Sequence, residues 1–142
     1  MKKTIILALI SLCATIALLI TYKESAPVEV DYDLARSSST MAYAQVFNIL
    51  VEPEKYDGKK IRVHGKFAVY EYKENGEERR DYACLVSDPT ACCDQAIEFT
   101  LKDDVFPDNY PKEEESFTVS GIFRIHQKNG YDCAELVDAV IE

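Results

Sequence analysis

From Ile61 onward the chain writes one pattern twice. Ile61, Val63, Gly65, Phe67 and Val69 alternate with Arg62, His64, Lys66 and Ala68; Phe117, Val119, Gly121, Phe123 and Ile125 repeat the alternation. A period of two is that of a strand with one face in a core and the other in water. Each run is followed by Asn-Gly, at 75–76 and at 129–130, and then by Tyr82-Ala83-Cys84 or Tyr131-Asp132-Cys133. Asn-Gly favours a tight hairpin, although the connection around Asn75 is expected to be longer than two residues. Glycine within a strand marks a bulge or sharp coil, which a small barrel needs at its corners. That shared demand accounts for the echo without a duplication.

Two more stretches complete the β pattern: Tyr82 to Val86, and Ile97, Phe99 and Leu101 with Glu98 and Thr100 on the opposite face. The last strand runs from Cys133 to Ile141. Asp103 to Glu115, with Pro107 and Pro111, is expected to be a polar loop. Ahead of the strands, Met41, Ala44, Val46, Phe47, Leu50 and Val51 fit one helical face, with an N-cap hydroxyl near Ser39 or Thr40 and Pro53 as the stop. The expected class is mainly β: a five-stranded OB-like, partly open barrel preceded by one α-helix, with a hydrophobic helix at the N-terminus.

The leader carries Lys2-Lys3 and then no charge from Thr4 to Thr21. Its apolar run approaches bilayer-spanning length and exceeds the core of most cleaved signals. Ser25-Ala26 before Pro27 is the nearest approach to a cleavage site. An uncleaved anchor over 1–22 is favoured over a cleaved signal peptide, with the paired lysines inside and the remainder outside. Cys13 follows Leu12 and lies within the apolar run, so it reads as a bystander thiol and not a lipidation site. Residues 23–39 read as a flexible linker, and 40–142 as the domain.

Of sixteen Lys and Arg, two belong to the leader, leaving fourteen against twenty-five Asp and Glu, a balance of −11. So acidic a domain is a poor match for nucleic acid and for anionic lipid. Tyr70, Tyr72, Tyr82, Tyr110 and Tyr131 are therefore expected to pack across strands and not to stack on bases. Asp103-Asp104 and Glu113-Glu114-Glu115 lack the spacing of a calcium loop. Neither a nucleophile elbow, nor a phosphate-cradling loop, nor a His-Glu-x-x-His helix is present, so a binding protein is expected and not an enzyme.

The chemistry concentrates in Cys84, Cys92, Cys93 and Cys133. Free thiols tend not to persist outside the cytoplasm, so the leader implies pairing or a metal. If strand three lies beside strand five, all four thiols gather at one end of the barrel. Two structural disulfides are the leading expectation, each stabilising by about 2–4 kcal/mol. A thiolate zinc site is the alternative, although the spacing is not that of a zinc ribbon and adjacent cysteines on an extended chain point apart. A redox pair at Cys92-Cys93 ranks third, since Cys-x-x-Cys is missing. His64 and His126 fall on outward positions of strands expected to pair. With Glu71, Glu98 or a cysteine they are secondary candidates for zinc or copper.

The chain also resembles, from Ala42 to Glu142, an uncharacterised family of bacterial extracytoplasmic OB-like (tRNA-anti-like) proteins. The residues that carry this are Tyr56-Asp57-Gly58-Lys59, Val63-x-Gly65-x-Phe67, Ala83-Cys84-Leu85-Val86-x-Asp88 and Ala91-Cys92-Cys93-x-Gln95-x-Ile97-Glu98-Phe99. The resemblance implies the fold and the compartment but no activity. A fainter likeness, resting on Cys92-Cys93, is to the C-terminal domain of bacterial membrane proteins that travel with permeases linked to zinc handling. The combined expectation is a membrane-tethered extracytoplasmic binding or accessory module. Its partner would be an envelope protein or small ligand, met on the outward side of strands one to three.

Overall fold

A computed structural model describes residues 29–90, 92–128 and 130–142. The described chain is mainly β, with six strands and one α-helix. In chain order these are β1 Tyr32–Asp33, α1 Ser39–Val51, β2 Lys60–Glu74, β3 Glu77–Ser87, β4 Asp94–Leu101, β5 Ser116–Lys128 and β6 Tyr131–Ile141. The leader expectation over 1–22 lies outside the described residues. Among those described, no helix is long and apolar enough to cross a membrane.

Antiparallel ladders join β2 to β3, β3 to β4, β5 to β6 and β2 to β5, and a parallel ladder joins β4 to β6. Among themselves these five strands each have two hydrogen-bonded neighbours, and the pairings run in a circuit β2–β3–β4–β6–β5–β2, with β1 added alongside β2. β2 serves two partners in succession, pairing with β5 from Lys60 to Lys66 and with β3 from Lys66 to Glu74. At the hand-over, a Cβ on Gly65 would sit 2.3 Å from the Leu85 carbonyl oxygen and 2.7 Å from Cys84 Sγ. Only glycine allows β3 to come that close. Gly121 marks a register shift of β5 against β6, the bulge expected of it.

The alternating residues converge as their period requires. Ile61, Val63, Phe67, Cys84, Ile97, Phe99, Val119, Phe123 and Leu136 are all essentially buried. Each large apolar side chain so placed contributes roughly 1.5–3 kcal/mol relative to exposure.

Four expectations change on contact with the structure. The Asn75-Gly76 connection is a two-residue hairpin: Glu74 pairs with Glu77, and both turn residues have positive φ. Beyond Val69 the ladder is polar on both faces, held by Glu71–Arg80 at 2.7 Å and by Tyr72–Asp81 at 3.3 Å, so its apolar alternation stops before the strands do. The linker is ordered well before residue 40. Asp31 exchanges hydrogen bonds with Lys60, β1 pairs with β2, and Leu34 is 1% exposed.

The helix buries Ala42, Val46 and Ile49 while Met41, Phe47 and Val51 stay exposed. A helix with no charged residue offers no polar face by which periodicity could choose. Its N-cap is Ser38, whose Oγ accepts from the Met41 amide at 3.4 Å. Finally, the segment from Asp103 to Glu115 is not simply polar. Tyr110 lies 4.2 Å, centroid to centroid, from Tyr82, and Phe106 lies 5.5 Å from Tyr82, covering one end of the core.

Candidate metal centre

The β3–β4 ladder ends at Ser87↔Asp94, leaving Asp88–Cys93 as the connection. Asp88-Pro89 is a turn-initiating pair, and the Asp88 amide donates to the Cys93 carbonyl at 2.9 Å, closing the loop. The Asp88 carboxylate then caps its interior. Oδ1 accepts from the Cys92 amide at 2.9 Å, and Oδ2 accepts from Thr90 Oγ1 at 2.9 Å and Cys92 Sγ at 3.3 Å. On the far side Gln95 Nε2 donates to Tyr43 OH at 3.1 Å, fastening the start of β4 to α1.

Cys92 and Cys93 precede the extended residues of β4, so the rule that adjacent side chains point apart does not govern them. Their Sγ atoms are 3.5 Å apart. The donor atoms of Asp88, Cys92 and Cys93 all lie within 4.8 Å of one another, the one such group of three among the described residues. Both cysteines are exposed.

The electrostatics favour a cation. Desolvation pushes the Asp88 carboxyl upward, but hydrogen bonds from Thr90, from the Cys92 amide and thiol and from the Cys93 amide outweigh it and hold Asp88 below the usual carboxylate range. Cys93 is raised, first by its hydrogen bond with Cys92 and then by the charges of Cys92, Asp88 and Asp94. The Cys92 thiol donates to Asp88 Oδ2, and a metal held by Asp88, Cys92 and Cys93 would take the place of that proton. Two sulfurs and one oxygen suit zinc, with a fourth position open.

The four cysteines do not gather, and all four are free. Cys84 faces the interior between Phe67 and Ile97, fully buried, and desolvation pushes its thiol up to about 12. Cys133 is on the outer parity of β6, next to the inward-facing Leu136 and Ala134. The sheet itself separates these two, so Cys84 and Cys133 are not partners in the expected disulfides, and none of the four thiols is bonded in this structure. His64 and His126 are not neighbours either. His64 pairs with Thr118 and its Nδ1 lies 3.0 Å from Thr118 Oγ1. His126 is eight residues further along β5, roughly 26 Å at the rise of a strand, and pairs with Cys133. Glu98 lies on the outer face of β4, in register with Glu135, and Glu71 is bound to Arg80.

Asp88 escaped the sequence reading as a ligand. The signal that could have found it is Asp-Pro four residues before the first of two adjacent cysteines, a turn that folds the carboxylate back onto the thiols. Comparisons of the chain with protein-family models, curated proteins and solved structures find no match.

Proposed function

We propose that this chain is a membrane-tethered, extracytoplasmic OB-like module that binds a thiophilic divalent ion of the zinc class at Asp88, Cys92 and Cys93. The observation that carries this reading is the convergence of three donor atoms within 4.8 Å on one closed loop. The circuit of five ladders, with its parallel β4–β6 pair, supports an OB-like barrel as the scaffold. The uncharged run from Thr4 to Thr21 supports the tether. An exposed site with three protein ligands suits handing an ion on better than locking it away, so the role is that of a carrier or accessory protein in envelope metal handling. The faint likeness to domains that accompany zinc-linked permeases points the same way.

The test is native mass spectrometry and metal analysis of the full-length chain purified in detergent without chelator, under reducing conditions. About one zinc lost on Cys92→Ser or Cys93→Ser is expected; thiols that bind no metal would overturn the reading. A second reading, thiol redox, rests on the 3.5 Å between the two sulfurs. In a parallel preparation without reductant it would show instead as a chain lighter by two hydrogens, with both thiols blocked to alkylation.

A further inference from the structure

The outer face of β5 and β6 carries a second set of soft and borderline donors. His126 and Cys133 are direct register partners, and Arg124 and Glu135 are the next outward pair. Register partners share a face with their Cβ atoms about 4.5–5.5 Å apart. His126 Nε2 lies 3.6 Å from Glu135 Oε1. That is too long for a hydrogen bond but close to the roughly 3.3 Å between two ligands of a tetrahedral zinc with bonds of about 2 Å. The other carboxylate oxygen, Oε2, accepts from Thr100 Oγ1 at 2.9 Å. Such an outer hydrogen bond fixes the carboxylate of a metal site. Arg124, the register partner of Glu135, engages Asp57 at 3.8 Å.

From this geometry we propose a second metal site, formed by His126 Nε2, Glu135 Oε1 and Cys133 Sγ, for a divalent ion that accepts nitrogen, oxygen and sulfur together, such as Zn²⁺ or Co²⁺. The imidazole and carboxylate already stand at ligand spacing. As the structure stands, Cys133 Sγ is not within 4.8 Å of both other donors; its Cα faces that of His126 across the ladder, and its sulfur must turn into the sphere when the ion binds. Thr100 is a positioning residue, acting on the metal through Glu135. The site is separate from the Asp88–Cys93 loop and does not depend on that loop binding metal.

The experiment titrates Co²⁺ into the full-length chain in detergent, under reducing conditions, with Cys92→Ser and Cys93→Ser combined to remove the loop thiols. One equivalent should bind, with a thiolate-to-cobalt charge-transfer band. Cys133→Ser should abolish the band, and His126→Ala and Glu135→Gln should each weaken binding at least about ten-fold. Thr100→Val, which keeps all three ligands, should weaken it about 10–100-fold. All four positions lie on the outer face, and unchanged thermal unfolding would show that the fold is kept. A band that survives Cys133→Ser overturns the proposal. So does a double-serine chain that binds no Co²⁺; wild-type binding lost in that chain would leave the loop site standing alone.

Discussion

Asp88 and Cys92 are joined twice: the carboxylate takes the backbone amide on one oxygen, at 2.9 Å, and the thiol on the other, at 3.3 Å. The backbone bond fixes where the loop turns, and the thiol bond marks where an ion would replace a proton. The two contacts therefore separate structure from function. Asp88→Asn keeps an acceptor for the amide but loses the charge. Isothermal titration with Zn²⁺ should show affinity falling at least about ten-fold, while the unfolding temperature stays close to that of the wild type.

Metal binding should also be linked to protons. The Cys93 thiol is held above its ordinary value by Cys92 and the neighbouring carboxylates, so it is protonated near neutrality. Zinc must displace that proton, and affinity should fall as pH falls. Titrations in buffers of different ionisation enthalpy would count the protons released; a binding constant flat between pH 6 and pH 8 would contradict thiolate ligation.

Cys84 should behave as a core residue and not as a reactive thiol. In native buffer an alkylating reagent should modify Cys92 and Cys93 but leave Cys84 until the chain unfolds. Burial raises its value from 9.0 to about 12. A group raised in the folded state binds its proton more tightly there, so its contribution is complete below pH 9 and is lost as pH rises toward 12. That loss is on the order of 4 kcal/mol, and Cys84→Ala should flatten the alkaline limb of the stability profile.

Leu34 lies in the stretch expected to be a tether, yet it is 1% exposed and belongs to the core cluster. Leu34→Ala should cost about 2–5 kcal/mol in denaturant unfolding. A neutral result would mean that β1 and the turn after it do not pack on the sheet.

Gly65→Ala tests the glycine at which an added Cβ would be most tightly crowded. Its Cβ would meet the Leu85 carbonyl at 2.3 Å and Cys84 Sγ at 2.7 Å, and a backbone atom cannot step aside as a flexible side chain can. A loss of about 3 kcal/mol or more is expected. Gly76, whose added Cβ would meet nothing within 4 Å, should lose less on the same change despite its positive φ.

The alternation from Ile61 and from Phe117, the glycines at their centres and the Asn-Gly pairs were enough to place β2, β5 and most of their inward residues, but not β1 nor the burial of Ala68. Pleating imposes a period of two wherever one face is dry and the other wet, and that period is written in the sequence. The same rule fails where both faces are wet, which is why the charged arms of β2 and β3 around Asn75 ran longer than their apolar residues suggested. It fails again on α1, whose uncharged surface does not say which side is covered.

Sequence alone also singled out the cysteines and histidines as the groups with chemistry. Their grouping was a matter of tertiary structure. Whether Cys84 faces the core or meets Cys133 depends on which side of the sheet each occupies after β3 and β6 have taken their registers on either side of β4. Whether Cys92 and Cys93 diverge or converge depends on a loop closed by Asp88. These relations are set by long-range pairing and by one turn, neither of which leaves a periodic trace in the chain.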